Sequence, residues 1–415
     1  LEVRAALQQD SDSRTLVLSR IYGLGGRDFY DADAEHFFAE ALEAAHQGSV
    51  AVPFAYHGTY AGEPGRSPPV GLPAITTEEV SRGMAKVTPD PKSGRLQVEL
   101  EPLWAMTTVP CRVAPGHGAC PGCGIFPVLH QAYNVLEGDL VVLFQTGCAM
   151  VVTTGYPHTA HRITYIHNLF QNGAATLSGL VEMYLERMRR GDLPGSPDIT
   201  FMMVTGDGGM DIGMGAALGA AHRNHRMIIL EYDNQGYMNT GAQLSYSTPM
   251  GHRTSTSEVG SKRAGKVFHN KDTAQIFAAC HLPYIFTASE GYPEDFMRKV
   301  AKAQWYAKRE GLVYGKVLAF CPLYWRTADD AAEEVLQAAL DSCFFPLYEI
   351  EKGHTVITYD PDAIGRRRPL ADWLGLMGKT KHLLAPHNAE HLEAAEREVE
   401  RRWRRLKAMH EHPEL

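Results

Sequence analysis

Two groups of residues in this chain have the types and spacing to do chemistry. The first is Cys120-Pro-Gly-Cys123, followed by Gly124 and preceded by Pro115, Gly116 and Gly118. Two thiols held in a turn-rich stretch suit a metal-binding loop, although zinc ribbons and redox dithiols use the same spacing. Cys148 follows the run LVVLFQTG, and Cys321 follows VLAF. Strand ends bring distant residues together, so four thiols could meet on one 4Fe–4S cluster. The competing readings are a zinc site, or ordinary buried thiols at Cys148 and Cys321. Cys111, Cys280 and Cys343 read as structural.

The second group begins at MMVTGDGGMDIGMG, where a strand-like run passes directly into a glycine-rich helix start. Such a junction points backbone N–H groups and the positive helix end at an anion, as a diphosphate requires. Gly206, Gly208 and Gly209 allow close backbone approach. Asp207 offers a hard carboxylate. Asn234, at the end of the next strand-like run, offers a second oxygen, and the Gly236 carbonyl a third. Magnesium takes about six oxygens, few of them carboxylates. A ligand-free glycine turn and a dinucleotide fingerprint are the alternatives. The motif lacks the GxGxxG spacing with a downstream ribose carboxylate, which argues against a nicotinamide site. The spacing from Asp207 to Asn234 instead suits the magnesium site of thiamine diphosphate (TPP).

Positioning these groups needs a sheet. LVVLFQ (140–145), ITFMMV (199–204), MIILEY (227–232) and VYGKVLAF (313–320) are short apolar runs, separated by helical stretches such as 175–190 and 211–222. That alternation predicts an α/β fold with a doubly wound, mostly parallel sheet. Ahead of it, residues 1–50 read as a strand at 15–21, the turn GLGGRD and a helix over 32–46; a Pro- and Gly-rich extended connector follows. The stretch 388–410 reads as a charged helix with a solvated or partner-facing surface. The expected division is 1–60, 61–110, 111–345 and a C-terminal extension, 346–415.

Composition narrows the function classes. The chain has 415 residues, 44% hydrophobic and 21% charged, with a net charge of −8. That balance argues against nucleic acid or an anionic membrane as the main partner. No apolar run is long enough for a membrane span. Seven cysteines, an odd number, do not suggest a secreted disulfide framework; a cytoplasmic location is expected. Leu1 in place of Met suggests numbering that starts inside a longer product.

Over residues 111–350 the chain resembles the β subunits of the pyruvate:ferredoxin (2-oxoacid:acceptor) oxidoreductases. The matching stretches are GHGACPGCG, QTGCAMVVTTGYPHTAHRITYIHNLFQNGAA, VTGDGGMDIG, YDNQGYMNTGAQLSYSTPMG, AFCPLYW and FFPLYEIE. The resemblance implies a TPP-binding fold, with Cys120, Cys123, Cys148 and Cys321 on a 4Fe–4S cluster. It implies Asp207, Asn234 and the Gly236 carbonyl on Mg2+, and Tyr237, Asn239 and Thr240 beside the cofactor. Asn239 matches a residue facing the thiazolium and the substrate carbonyl. RIYGLGGRD at 20–28 is similar to the end of the family's α subunit, so residues 1–60 are expected to be such a tail. Two departures stand out. Ile125 occupies a place where relatives carry Glu or His, and Cys321-Pro-Leu-Tyr-Trp325 replaces PCPTGW.

The activity implied is oxidative decarboxylation of a 2-oxoacid, pyruvate-like, with coenzyme A, giving acyl-CoA, CO2 and a reduced ferredoxin-type acceptor. The family's α subunit supplies the carboxylate that activates the aminopyrimidine, so the chain is expected to be inactive alone. Subunits of γ/δ type or a ferredoxin take the electrons. Phenylglyoxylate, oxalate and 2-oxoglutarate are alternative substrates. A cluster-free TPP decarboxylase or synthase is the alternative of another class, and an electron-transfer subunit without TPP a third. In the loop after Cys148, Asn168 and Arg162 are candidate site members; His158, His161 and His167 read as packing residues. Lys262, Arg263 and Lys266 are candidates for CoA phosphates or a ferredoxin.

Overall fold

The computed structural model describes residues 6–9, 16–19, 84–102, 111–155, 159–192 and 199–414. The GLGGRD turn, the helix expected over 32–46, most of the connector and His158 lie outside the described residues. Strands β1 (Ala6–Gln9) and β2 (Leu16–Ser19) pair as an antiparallel hairpin. Part of the expected connector forms a second hairpin, β3 (Ala85–Pro89) and β4 (Leu96–Leu100). It packs on the helix Pro293–Arg309. There Arg298 Nη1 donates to the Val98 carbonyl at 2.5 Å.

Eight strands form the central sheet. In chain order they are β5 (Asp139–Gln145), β6 (Thr164–Asn168), β7 (Ile199–Gly206), β8 (Ile228–Asp233), β11 (Tyr284–Ser289), β12 (Val313–Leu318), β13 (Leu347–Glu351) and β14 (His354–Tyr359). A two-residue pair, β9 (Val259–Gly260) and β10 (Arg263–Ala264), lies apart in the loop between β8 and β11. The spatial order is β14-β13-β11-β12-β8-β7-β5-β6. The stretch from β11 to β6 is parallel, and β13 and β14 add an antiparallel edge. The sheet therefore continues past residue 345, where the C-terminal extension was expected to begin.

Strands covered on both faces read as unbroken apolar runs, and these do. Their side chains split by alternation. Leu143, Met203 and Ile229 join the core beneath the helices Gly173–Arg190 and Asp207–His222. Val142, Phe144, Met202, Val204, Ile228 and Leu230 join the opposite core, beneath the helices Ile125–Val135 and Pro293–Arg309.

Register is what positions the site. Gly206 pairs with Tyr232, Asp233 with Leu318, and Ser289 with Leu318 in the neighbouring ladder. The parallel strands thus finish at a common level, where ligands of open α/β sheets bind. Asp207, Asn234, Glu290 and Cys321 each follow such an end, and Cys148 opens a short helix (Cys148–Thr153) just beyond β5. The C-terminal helix Ala389–Glu411 is charged on one face and buries Val399, Trp403 and Leu406 on the other, packing against β14. It is an amphipathic cover, not a wholly solvated helix.

Candidate active site

β7 runs straight into the helix Asp207–His222, with Gly206 extended at the cap (φ −81°, ψ 165°). Asp207 is consequently buried at the helix start. Ser245 Oγ donates to Asp207 Oδ2 at 2.5 Å, which leaves Oδ1 to face the loop after β8. There the Asn234 carboxamide oxygen lies 3.0 Å from Asp207 Oδ1 and 3.1 Å from the Gly236 carbonyl oxygen. Three acceptors in contact with no proton between them repel one another. Either the amide rotates and donates twice, or a cation sits among the oxygens. Ligands on octahedral Mg2+ at about 2.1 Å stand roughly 3.0 Å apart, and both spacings match. Burial, and next the neighbouring Asp233 carboxylate, push the Asp207 carboxyl well above its usual range, against the pull of Ser245 and Lys271. A divalent cation would supply the missing counter-charge, so the donor set fits one.

Around this triad the charges are paired. Lys316 holds Asp233 at 2.8 Å. Lys271 Nζ bonds Asp211 Oδ1 at 2.6 Å and the Asp207 carbonyl at 3.0 Å. Glycine at the helix start has a packing reason as well as an access reason: a Cβ on Gly208 would sit 2.5 Å from the Tyr237 ring.

The cysteine turn is docked onto the segment that carries Cys321. The Cys123 amide donates to the Cys120 carbonyl at 3.1 Å, and the Gly124 amide to the Phe320 carbonyl at 3.0 Å. Gly122 has φ 67°, and a Cβ there would meet the Asp329 carbonyl at 2.0 Å. Cys120 is exposed, while Cys123, Cys148 and Cys321 are half-buried, all as free thiols. Burial, with the Cys321 and Cys120 sulfurs adding to it, pushes Cys123 and Cys148 up to about 12. Burial also raises Cys321, with the Tyr324 amide and the Lys379 ammonium opposing it. Each thiol of the set is therefore within electrostatic reach of the others. Among the described residues no three His, Cys, Asp or Glu side chains close into a metal cage. A set of four sulfurs is nonetheless the donor chemistry of a 4Fe–4S cluster. Cys343 lies elsewhere, buried beside Arg367.

Two residues at this edge carry no motif. Glu290, after β11, is buried; its Oε1 accepts the Phe320 amide at 3.0 Å, and Oε2 has no partner among the described residues. A Cβ on Gly124 would sit 2.2 Å from that oxygen. Burial raises this carboxyl to about 8. Its only sequence signal is its place after the run YIFTAS. Lys379, from the C-terminal extension, is buried with Nζ donating to Gln235 Oε1 at 2.6 Å. Nothing in its local sequence points to the site.

The remaining expectations separate. Asn168 closes β6 at the level of Gln145, with its amide bonded to Thr176 Oγ1 at 2.5 Å. His167 Nε2 meets Thr146 Oγ1 at 2.9 Å. Arg162 is exposed and precedes Thr164, the first residue of β6. It stands at the amino end of the strand, about 13 Å or more from Asn168, away from the level at which the strands finish. The chain descends after the helix Cys148–Thr153 before entering β6, which local sequence does not reveal. His161 is a core residue, with its ring 4.6 Å from that of Phe144 and 5.0 Å from that of Tyr165. Neither ring nitrogen has a partner among the described residues. Tyr237 is half-buried, and Asn239 and Thr240 are exposed on the turn that follows. Lys266 is not free for a phosphate: its Nζ donates to the carbonyls of Ser245, Tyr246 and Thr248. Lys262 and Arg263 are exposed.

Residues 146–314 match the family described as thiamine pyrophosphate enzyme, C-terminal TPP binding domain. Cys148, Asp207, Asn234 and Gly236 fall inside that span; Cys120, Cys123, Cys321 and Lys379 fall outside it. The chain is 40% identical over 271 residues to the pyruvate synthase subunit PorB of Methanocaldococcus jannaschii, covering 65% of this chain and 89% of that one. It is 37% identical over 305 residues to PorB of Thermotoga maritima, covering 72% and 92%. With the ketoisovalerate oxidoreductase subunit VorB of Pyrococcus furiosus it shares 33% over 297 residues, covering 71% and 92%.

Proposed function

Because this chain belongs to the family of the PorB subunits of pyruvate synthase, we propose that it is the β subunit of a 2-oxoacid:ferredoxin oxidoreductase. The reaction is 2-oxoacid plus CoA plus oxidised acceptor to acyl-CoA, CO2 and reduced acceptor. One observation carries the reading. The three-oxygen cluster at Asp207, Asn234 and Gly236 shares an edge with the four thiols, and Cys148 feels the Asp207 charge.

When bound, TPP supplies the carbanion chemistry that breaks the bond between the carbonyl and carboxylate of the 2-oxoacid, and a 4Fe–4S cluster accepts electrons singly. The chain's own residues bind and orient. Asp207, Asn234 and the Gly236 carbonyl hold Mg2+ against the diphosphate, and the amides at the start of the helix Asp207–His222 face its negative charge. Lys271 pins the Asp207 backbone, and Ser245 fixes which carboxylate oxygen faces the metal. Cys120, Cys123, Cys148 and Cys321 ligate the cluster. In this reading Tyr237, Asn239, Thr240 and Asn168 line the cofactor site, with Asn239, by resemblance, facing the substrate carbonyl.

The rest of the reading concerns partners. Leu169, Ile212, Tyr246, Val267, Phe268 and Leu323 are exposed apolar residues on segments flanking the site. An apolar rim of this kind marks a protein interface. Its occupant in this reading is an α subunit bringing the aminopyrimidine-activating carboxylate, with residues 1–60 resembling the end of such a subunit. Electrons pass to a γ/δ-type subunit or a ferredoxin. No helix among the described residues is long and apolar enough to cross a membrane, and we place the complex in the cytoplasm.

The test is an anaerobically co-purified complex assayed with CoA, a viologen dye and a panel of 2-oxoacids, pyruvate and branched-chain acids foremost. The expected result is dye reduction with pyruvate, and about four iron and four sulfide per TPP in this subunit. TPP without iron would establish the cluster-free decarboxylase or synthase instead. Iron without TPP would leave an electron-transfer subunit.

A further inference from the structure

We propose that Lys379 is a positioning residue that ties the Cys321 segment to the cation loop and sets the reduction potential of the cluster through its buried positive charge. The proposal rests on the reading of the cysteines given above.

The geometry is that of a bridge. Lys379 Nζ donates to Gln235 Oε1 at 2.6 Å and stands 4.1 Å over the Trp325 ring. Gln235 lies between Asn234 and Gly236, in the left-handed region at φ 69°. Trp325 ends the single helical turn after Cys321, whose carbonyl accepts the Trp325 amide at 3.0 Å. Trp325 Nε1 in turn donates to the Asn234 carbonyl at 2.8 Å. One cation thus touches both neighbours of the chemistry, the segment of a sulfur ligand and the segment of the oxygen triad. Its backbone is fixed too, since its carbonyl accepts the Arg253 amide at 3.1 Å.

The charge is the unusual part. Lys379 is 3% exposed, and among the described residues its ammonium meets a neutral amide and an aromatic face. Of the other lysines named at this edge, Lys271 and Lys316 each sit within 4 Å of a carboxylate, and Lys266 is held by three backbone carbonyls. A buried ammonium without a carboxylate partner is costly unless negative charge stands nearby. Burial pulls the Lys379 ammonium down to about 7, against the anionic pull of Cys321, Asp233 and Asp207. Asp233 is held by Lys316, and Asp207 faces the cation site. A thiolate-bound cluster is then the natural counter-charge. Reduction adds one more negative charge to it, so a fixed positive neighbour favours the reduced form and raises the potential.

The experiment is an EPR-monitored redox titration of the whole complex carrying Lys379→Met or Lys379→Arg, with iron and TPP counted in each. Expected is a shift of this subunit's cluster to a more negative potential in Lys379→Met and little shift in Lys379→Arg. An unchanged potential in Lys379→Met at full iron content overturns the proposal, as does an equal shift in both variants. Where Lys379→Met loses iron, Gln235→Glu neutralises the charge with the lysine in place. It must produce the same negative shift, and failure to do so also overturns the proposal. Absence of any cluster signal in the unmodified complex would strike the iron–sulfur reading itself, a separate outcome.

Discussion

Asp207 shows how much a single side chain can carry at a strand end. One carboxylate oxygen accepts from Ser245, and the other lies 3.0 Å from the Asn234 amide, which in turn lies 3.1 Å from the Gly236 carbonyl. Asp207→Asn keeps the shape and removes the charge. TPP and Mg2+ binding should weaken by roughly 10–100-fold or more, as for other losses around a metal, measured by thiochrome content after desalting. His161 makes the opposite point, a polar side chain used as packing. Burial pushes its pKa to about 4. Above about pH 6.5 the ring is neutral in the folded and unfolded chain alike. Between there and about pH 4 the unfolded chain takes up a proton that the folded ring refuses, so stability falls with pH, by about 1.4 kcal/mol per unit. At pH 5 that cost is about 2 kcal/mol. His161→Phe should therefore gain on the parent as pH drops from 7 to 5, in urea midpoints taken at both values; a constant difference would show that the ring is not held neutral.

At the scale of elements, the thiol turn depends on the loop after Cys321 as much as on its own residues. Gly122 has no room for a methyl group against the Asp329 carbonyl and has a positive φ. Gly122→Ala should cost about 1–3 kcal/mol and reduce iron content, read by iron analysis of the complex; full iron at unchanged melting temperature would contradict the docking. These elements also show what can be read from sequence. The strands at 139–145, 199–206, 228–233 and 313–318 and the helix at 207–222 were legible because apolar runs and glycine punctuation are local signals. Asp207 and Asn234 were legible for the same reason, each sitting at a strand-like end. Cys148 and Cys321 could be joined to the CPGC turn through their strand ends, but only resemblance chose a cluster over zinc or ordinary buried thiols. Glu290 and Lys379 were not legible, since their roles come from contacts across the fold. The placement of Arg162 was not legible either, because a loop's composition does not say at which edge of a sheet it runs.

At the scale of the whole molecule, the chain divides its charge and its apolar surface. The long helix Ala389–Glu411 buries Trp403 and Leu406 toward the sheet and presents paired Arg and Glu outward. The edge around the site instead keeps Val267 82% and Leu323 58% exposed. Charges placed there should break assembly and leave the fold intact. Val267→Asp with Leu323→Asp is expected to lose co-purification of the α subunit while retaining its own melting transition and circular dichroism. Co-purification at the parental level would move the interface elsewhere.

The order in which the site's parts occur along the chain bears on biosynthesis. Cys120, Cys123 and Cys148 leave the ribosome long before Cys321, and Lys379 later still. A growing polypeptide therefore shows solvent three sulfurs whose fourth companion does not yet exist. On the proposed ligand set, iron met before Cys321 emerges would find three sulfurs, so loading has to wait for the strand that ends at Leu318 to join the sheet.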